Sequence, residues 1–221
     1  MTDPEPPAPP PFESAVATRR GDDGTTGLLF GGDRIAKDDP RTEAYGTIDE
    51  AVAALGVARA QLGVKRRIGQ LGPGFGELPA ILLRLQRELF VAAAELATRP
   101  DAWDRQVDGV SRVSAQMVDG LETMLREAEG HIVMPTEFVV PGETVVSASL
   151  ELARTIVRRA ERRAVTLGPE GLIPGTRLLP YLNRLADLLW VLARAAEGAE
   201  SRSAPPSRPD RRRPAGTRST R

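Results

Sequence analysis

Apolar residues recur every three to four positions through most of this 221-residue chain, and this repeat constrains the fold more than any other feature. Five segments show the repeat, and each carries its apolar residues on one face, as an amphipathic helix packed on a core does. Strand patterns are nearly absent, since FVVP at 138–141 is too short to carry a sheet. The sequence therefore predicts an all-α fold, an up-and-down bundle of five helices with mostly short loops.

The predicted helix bounds follow from capping residues and from the spacing of the apolar positions. Asp39 and Pro40 mark the start of the first helix, because aspartate caps helix N-termini and proline suits the first helical position. The predicted helices cover about residues 39–62, 78–98, 110–128, 144–167 and 175–196.

The two ends of the chain differ in composition from the middle. Residues 1–18 contain six prolines and three acids without a base, and residues 201–221 contain seven arginines against Asp210. Both ends offer too little apolar surface to offset chain entropy, so both are predicted to be disordered. Residues 19–200, with a net charge of −3, are predicted to form one helical domain.

Composition argues against several kinds of chemistry. The chain has no cysteine, which excludes a disulfide, a thiolate metal site and a cysteine nucleophile. His131 is the only histidine, which argues against a Ser-His-Asp triad or a histidine-rich metal site, and no residue is assigned as a metal ligand. No signal or transit segment and no run of 18 apolar residues is present, so we expect a cytoplasmic protein without membrane contact.

A glycine-rich segment, residues 18–37, precedes the first predicted helix. Its five glycines allow sharp turns, and successive backbone N–H groups in such turns can form an anion-binding concavity. Arg19, Arg20 and Lys37 could add positive charge to it. A flexible entry loop with a small hairpin explains the same residues, so both interpretations stay open.

An arginine row lies on the fourth predicted helix. Arg154, Arg158 and Arg162 are spaced i, i+4 and i+8 on one face, and Arg159 and Arg163 flank them. Like charges at this spacing destabilise a helix, so the row requires anions opposite it, and Glu161 can hold one guanidinium. A polyphosphate ligand would supply the anions. A solvated basic face or ion pairs between helices would also explain the row.

The fifth predicted helix carries Asn183 and Asp187 on a face other than the apolar one. The amide of Asn183 suits an adenine edge. Hydrogen bonding between helices is the simpler interpretation of such a polar pair.

Four blocks in this order carry a family resemblance: TRRGDDGTTGLL from Thr18, AKDDPRTEAYGTIDE from Ala36, FVVPG with LARTIVRRAERR, and YLNRLADLLWVLAR from Tyr181. Together they resemble the PduO-type ATP:cob(I)alamin adenosyltransferases, over about residues 18–197. The resemblance implies a homotrimer of five-helix bundles with ATP bound between subunits. It also implies transfer of the 5′-deoxyadenosyl group of ATP, with Mg²⁺, to the cobalt(I) of a reduced cobalamin or other corrinoid.

The resemblance also implies roles for individual residues. Phe138 would lie against the lower face of the corrin, and Arg154 would pair with Asp49 across the subunit interface. Arg158, with Arg154 and Asp49, would serve the reaction itself. The ATP-binding residues would be Thr18, Arg19, Arg20, Gly21, Thr26, Gly27, Lys37, Arg158, Arg159, Glu161, Arg162 and Asn183.

The chain departs from the family pattern at Arg20, Val52 and Glu143. The departures at Arg20 and Val52 support an alternative function, a non-catalytic helical trimer that binds ATP or corrinoid as a sensor or delivery protein. Nucleic-acid binding through the basic tail is disfavoured by the few aromatic residues and the negative net charge of residues 19–200. The product could pass to an adenosylcobalamin-dependent enzyme, and either cobalamin or an earlier corrinoid could be the acceptor.

Overall fold

The computed structural model describes residues 14–67, 77–168, 171, 173, 176–198 and 202–203, and helices make up most of these residues. The α-helices in these residues are α1 (Pro40–Arg67), α2 (Leu78–Leu96), α3 (Ala115–Glu129), α4 (Val145–Leu167) and α5 (Leu178–Glu197). A short 3-10 helix (Pro100–Arg105) precedes α3. Two small antiparallel ladders join β1 (Thr25–Thr26) to β2 (Ile35–Ala36) and β3 (Val139–Val140) to β4 (Arg202–Ser203). The all-α prediction is confirmed.

The predicted apolar stripes form the core. α1 packs against α2 and α4, α4 also packs against α5, and α5 packs against α3. Burying each large apolar side chain contributes about 1.5–3 kcal/mol, so the stripes hold these helices together. The stripe of α4 is fully buried along its length, at Leu150, Ala153, Val157, Ala160, Ala164 and Leu167. In the described part of the chain no helix is long and apolar enough to cross a bilayer.

The start of α1 is tied to the end of α2. Asp39 caps α1 as predicted, since its Oδ1 accepts a hydrogen bond from the backbone N–H of Arg41 at 2.8 Å. The Arg41 side chain is buried and donates from Nη1 to the carbonyls of Leu96 (2.7 Å) and Thr98 (2.9 Å). These carbonyls belong to the end of α2, where helices leave acceptors unsatisfied. The exit of the glycine-rich segment is thereby fixed against α2.

The predicted start of α3 was five residues too early. Residues 107–112 form a turn instead, in which Gly109 has a φ of 76° and donates its N–H to the Arg112 carbonyl at 2.7 Å. The helix begins only after Ser114, whose Oγ accepts from the backbone N–H of Met117 at 3.3 Å. Val113 continues the apolar spacing of Met117 and Leu121 although it lies before the cap, so the predicted helix began too early.

Two residues of the segment predicted to be a disordered basic tail form strand β4. Arg202 pairs with Val140 and Ser203 with Val139 through the backbone, because the short FVVP segment offers an unpaired strand edge. The disorder of the two tails stays a prediction. Residues 14–18 of the other tail are exposed, and residues 1–13 and 204–221 lie outside the described residues.

Candidate functional site

The glycine-rich segment folds back on itself as a small hairpin. Thr25 pairs with Ala36 and Thr26 with Ile35, and the N–H of Lys37 donates to the Gly24 carbonyl at 2.9 Å. Gly24 adopts a φ of 79°, a conformation that glycine reaches without the steric cost of a side chain. The small hairpin of the simpler interpretation is therefore present. Anion binding by the same loop stays a prediction.

Two cations hold the hairpin to the residues before it. Lys37 donates from Nζ to the Gly21 carbonyl at 2.7 Å. Arg34 donates from Nε to Thr25 Oγ1 at 2.6 Å and from Nη2 to the carbonyls of Arg20 and Thr25, both at 2.8 Å. A Cβ at Gly21 would lie 2.9 Å from Lys37 Nζ, so a side chain there would displace the end of the lysine. The role of Arg34 could not be predicted from the sequence, because its partners come together only when the hairpin closes.

The tip of the hairpin docks on the chain that follows α2. The N–H of Leu29 donates to the Ala97 carbonyl at 2.9 Å, and the Arg105 guanidinium lies 4.4 Å from the centre of the Phe30 ring. A Cβ at Gly32 would coincide with the guanidinium of Arg99, which fills the space beside the turn. This docking gives the exposed segment a defined position relative to α1 and α2.

The predicted site residues of this segment are mostly open to solvent. Thr18, Arg19, Arg20, Gly27 and Lys37 are exposed. Gly21 and Thr26 are half-buried. The surface that the segment presents is therefore accessible to a ligand along most of its length.

Three of the five arginines on α4 are neutralised by carboxylates. Arg154 Nε lies 2.6 Å from Glu151 Oε2, on the same helix. Arg159 is paired with Glu50 on α1. Arg163 Nη2 lies 3.4 Å from Oε1 of Glu43, one turn into α1. The ion pairs between helices that the sequence analysis considered therefore explain the flanking arginines.

The other two arginines, Arg158 and Arg162, are exposed. Within the described part of the chain neither has a carboxylate partner, and Arg162 Nη1 donates to the Arg158 carbonyl at 3.0 Å. They are four residues apart on one helix face, where repulsion between like charges costs a few tenths of a kcal/mol. An anion bound between them would remove this cost, so the pair forms a candidate anion site.

Glu161 holds no guanidinium among the described residues, contrary to the prediction. Its Oε1 accepts a hydrogen bond from Nδ2 of Asn183 on α5 at 3.3 Å. Asn183 Oδ1 accepts in turn from Arg184 Nη1 at 3.0 Å, and Asp187 lies 3.9 Å from that nitrogen. The predicted nucleotide residues Glu161 and Asn183 are thus in direct contact, beside the two arginines without carboxylates.

A buried charge network lies below the row. Glu151 is 5% exposed, and its Oε1 accepts from Nη2 of the equally buried Arg194 at 2.9 Å. The same nitrogen lies 3.1 Å from Glu197 Oε1. Sequence reasoning missed all three residues, although Glu151 precedes Arg154 by three positions and Glu197 follows Arg194 by three. The network joins Arg154 to the C-terminal end of α5.

Phe138 belongs to an exposed apolar stretch. Its side chain is 83% exposed, and Val133, Met134 and Val140 nearby in sequence are also exposed. Clustered exposed apolar side chains mark surfaces that a ligand or partner covers. The stretch precedes α4, which begins after the N-cap residue Thr144, and Thr144 forms a capping box with Ser147 in the first turn.

Asp49 lies exposed on α1, and in the described residues its carboxylate has no partner. Arg154 is held by Glu151 of the same chain. The predicted contact between Arg154 and Asp49 therefore remains a prediction about two subunits.

The described residues form a helical protein that carries two exposed arginines without carboxylate partners on α4, a glycine-rich hairpin and an exposed apolar stretch before α4. The family model for cobalamin adenosyltransferase matches residues 16–196. The chain belongs to the cobalamin adenosyltransferase family.

Relatives and a solved structure agree with this assignment. The corrinoid adenosyltransferase of Citrobacter freundii is 38% identical over 182 residues, covering 82% of this chain and 94% of that protein. The corrinoid adenosyltransferase of Bacillus subtilis is 40% identical over 177 residues, covering 80% and 83%. A phenylalanine-to-alanine variant of the PduO-type ATP:corrinoid adenosyltransferase from Lactobacillus reuteri, complexed with cobalamin and ATP, superposes with a TM-score of 0.69 at 29% identity, covering 82% and 92%.

Proposed function

We propose that this protein transfers the 5′-deoxyadenosyl group of ATP to the cobalt(I) of a reduced corrinoid and releases tripolyphosphate. The observation that carries the proposal is the pair of exposed arginines, Arg158 and Arg162, without carboxylate partners among the described residues. Family membership supplies the reaction, and the related Lactobacillus reuteri protein in complex with cobalamin and ATP supplies the two substrates.

The chemistry needs little from the protein beyond position and charge. The electron pair of cobalt(I) attacks the 5′ carbon of ATP, a Co–C bond forms, and the C5′–O bond breaks. The bonding pair leaves on the triphosphate oxygen, so negative charge grows there in the transition state. Cations fixed in advance near that oxygen stabilise this charge more than the ground state. We assign this task to Arg158 and Arg162.

The remaining nucleotide contacts come from three elements. The hairpin residues Thr18–Gly21, Thr26 and Gly27 would wrap the nucleotide, with Lys37 on its phosphates. The contact between Asn183 and Glu161 supports an adenosine-side position for the asparagine, because an amide already oriented by a carboxylate is prepared to bind. Arg159, which flanks the arginine row on α4, is the last of the proposed ATP-binding residues.

Mg²⁺ is proposed to accompany ATP. The described residues contain no group of three or more His, Cys, Asp and Glu side chains that could hold a metal ion. We assign no step to the ion. The phosphates themselves are the ligands that Mg²⁺ prefers in such complexes.

We further propose that the helical bundle is the unit of a homotrimer with the site between subunits. Exposed apolar residues on two helices support this assembly, because a neighbouring subunit would cover them. They are Val57 on α1 and Val145 and Leu152 on α4, each at least half exposed. Asp49 on α1 would then reach Arg154 of a neighbouring subunit.

Asp49→Asn should lower turnover about tenfold or more while the trimer persists, because the amide keeps the shape and loses the charge that orients the arginine. Turnover with ATP and reduced cobalamin, and light scattering for mass, would measure this. Asp119→Asn, an exposed aspartate on α3, is the matched control and should be neutral. Normal turnover in Asp49→Asn would exclude the pairing.

Phe138→Ala should slow the reaction that starts from cobalt(II) about tenfold more than the reaction that starts from prereduced cobalt(I). The ring is proposed to displace the lower axial ligand and keep water from that face, which eases reduction of cobalt(II). Two assays would separate the two reactions: one in which the corrinoid is reduced to cobalt(I) before the protein is added, and one in which reduction from cobalt(II) takes place during turnover. Val133→Ala, also on the exposed stretch, is the control. Equal losses in both assays would contradict the axial role.

The decisive test of the proposed function is direct. The protein is incubated with ATP, Mg²⁺ and chemically reduced cobalamin, and the spectral change to the adenosylated form is followed together with tripolyphosphate release. Binding of both ligands without either product would support the alternative, a non-catalytic sensor or delivery protein. Cytoplasmic location and transfer of the product to an adenosylcobalamin-dependent enzyme belong to the proposal as well.

A further inference from the structure

Arg34 makes more contacts in the glycine-rich hairpin than any function assigned above explains. Its guanidinium reaches two stretches of chain, with the Arg20 carbonyl 14 residues away and the Thr25 carbonyl and hydroxyl nine residues away in sequence. We infer that Arg34 is a positioning residue, which holds residues 20–25 in the conformation that receives the ATP phosphates. The inference rests on the proposed function for its ligand.

The direction of each hydrogen bond around Thr25 is determined. A guanidinium can only donate, so Thr25 Oγ1 accepts from Arg34 Nε. The same hydroxyl donates to Asp23 Oδ1 at 2.8 Å, and that oxygen also accepts from the Thr25 N–H at 3.0 Å. The hydrogen bond from the Thr25 hydroxyl, and next that from its N–H, lower the pKa of Asp23. The carboxylate is thus ionised at neutral pH and acts as an acceptor only. Asp23, Thr25 and Arg34 form a chain in which each bond polarises the next.

Arg34 and Lys37 differ in what they could release to a ligand. The Lys37 side chain has a single described hydrogen bond, to the Gly21 carbonyl, and its ammonium can exchange that carbonyl for a phosphate oxygen. Arg34 binds three acceptors with one planar guanidinium. If it left them for a ligand, residues 20–25 would lose their hydrogen bonds to the segment that leads into β2. Lys37 suits contact with the ligand, and Arg34 suits maintenance of the loop.

Substitutions at Arg34 should leave the bundle intact, because the side chain is exposed and contacts only the loop. Arg34→Lys keeps the charge but cannot span three acceptors, and Arg34→Gln removes the charge. We expect the loop of either variant to adopt the binding conformation only about a tenth of the time. The apparent affinity falls in proportion to that fraction, so both variants should raise the Kd for ATP about tenfold. Turnover at saturating ATP should change less than about twofold, since the bound loop is the same.

The measurements are calorimetric titration with ATP and Mg²⁺, and amide hydrogen exchange of residues 20–26 without nucleotide. Both Arg34 variants should lose affinity and exchange faster in the loop, whereas Arg112→Gln should match the wild type. Arg112 is a suitable control because it also pairs with a nearby carboxylate, Asp108 at 2.6 Å, outside the hairpin. Thr25→Val should reproduce the Arg34 effect, and Thr25→Ser, which keeps the hydroxyl, should not.

An Arg34→Lys variant with wild-type affinity and wild-type loop exchange would overturn the inference, since charge alone would then suffice. Unchanged loop exchange in Arg34→Gln would overturn it too. If the wild type itself fails to bind ATP, the proposed function fails instead. The exchange measurement without nucleotide would still decide whether Arg34 orders the loop.

Discussion

Arg158→Ala is expected to lower kcat by about 10²–10³, the range seen when one fixed donor to developing negative charge is removed. Arg158 is exposed, and among the described residues its guanidinium has no carboxylate to neutralise it. Its charge is therefore available to the triphosphate leaving group. The measurement is turnover with ATP and prereduced cobalamin at saturating concentrations of both.

Arg163→Ala is the matched control for this variant. Arg163 lies five residues further along the same helix, and its charge is already balanced by Glu43 at 3.4 Å. Both variants should keep the helix content and the melting temperature of the wild type, because exposed charges contribute little to stability. Equal turnover in Arg158→Ala and the wild type would show that the anion site lies elsewhere.

Arg194→Leu is expected to destabilise the protein by about 3–5 kcal/mol, since removing one partner from a buried ion pair leaves the other charge uncompensated. The Arg194 side chain is only 3% exposed and contacts two carboxylates, Glu151 at 2.9 Å and Glu197 at 3.1 Å. Both carboxylates are buried as well, so they would lose this cation without gaining water. Thermal or denaturant unfolding followed by circular dichroism would measure the loss.

The control for Arg194→Leu is Arg184→Leu on the same helix. Arg184 pairs with Glu122 at 3.1 Å, but both side chains are about 40% exposed, so this pair should contribute at most about 1 kcal/mol. If the two variants unfold alike, the buried network does not stabilise the fold. Activity in Arg194→Leu, measured below its melting temperature, would report whether the network also holds Arg154 in place.

The fold could be predicted from the sequence because its signal is local and repeated. The stripe on α4, from Leu150 to Leu167, is buried at every predicted position. The cap at Asp39 is present as predicted, since one side chain and the next N–H groups suffice to form it. The start of α3 was predicted wrongly because the turn at residues 107–112 is held by local backbone hydrogen bonds, which leave the apolar spacing of the sequence unchanged.

The candidate site was predictable only as a set of positions. The sequence placed Arg154, Arg158, Arg159, Arg162 and Arg163 on one helix, which the structure confirms. Which of them carry free charge depends on α1, since Arg159 finds Glu50 at a separation of 109 residues. Arg34 was not predicted because its contacts also depend on residues apart in sequence. Its acceptors come together only when β1 and β2 pair.

The sequence by itself determined the helices, the arginine row and the glycine-rich entrance, because helical spacing and backbone freedom are properties of neighbouring residues. Only the tertiary structure decided how the charges are shared. Packing of α1 and α5 on α4 brings Glu43, Glu50 and Arg194 to the row and leaves Arg158 and Arg162 without carboxylates among the described residues. The physical reason is that Coulomb attraction depends on distance in space, and distance between remote residues is set by the packed core.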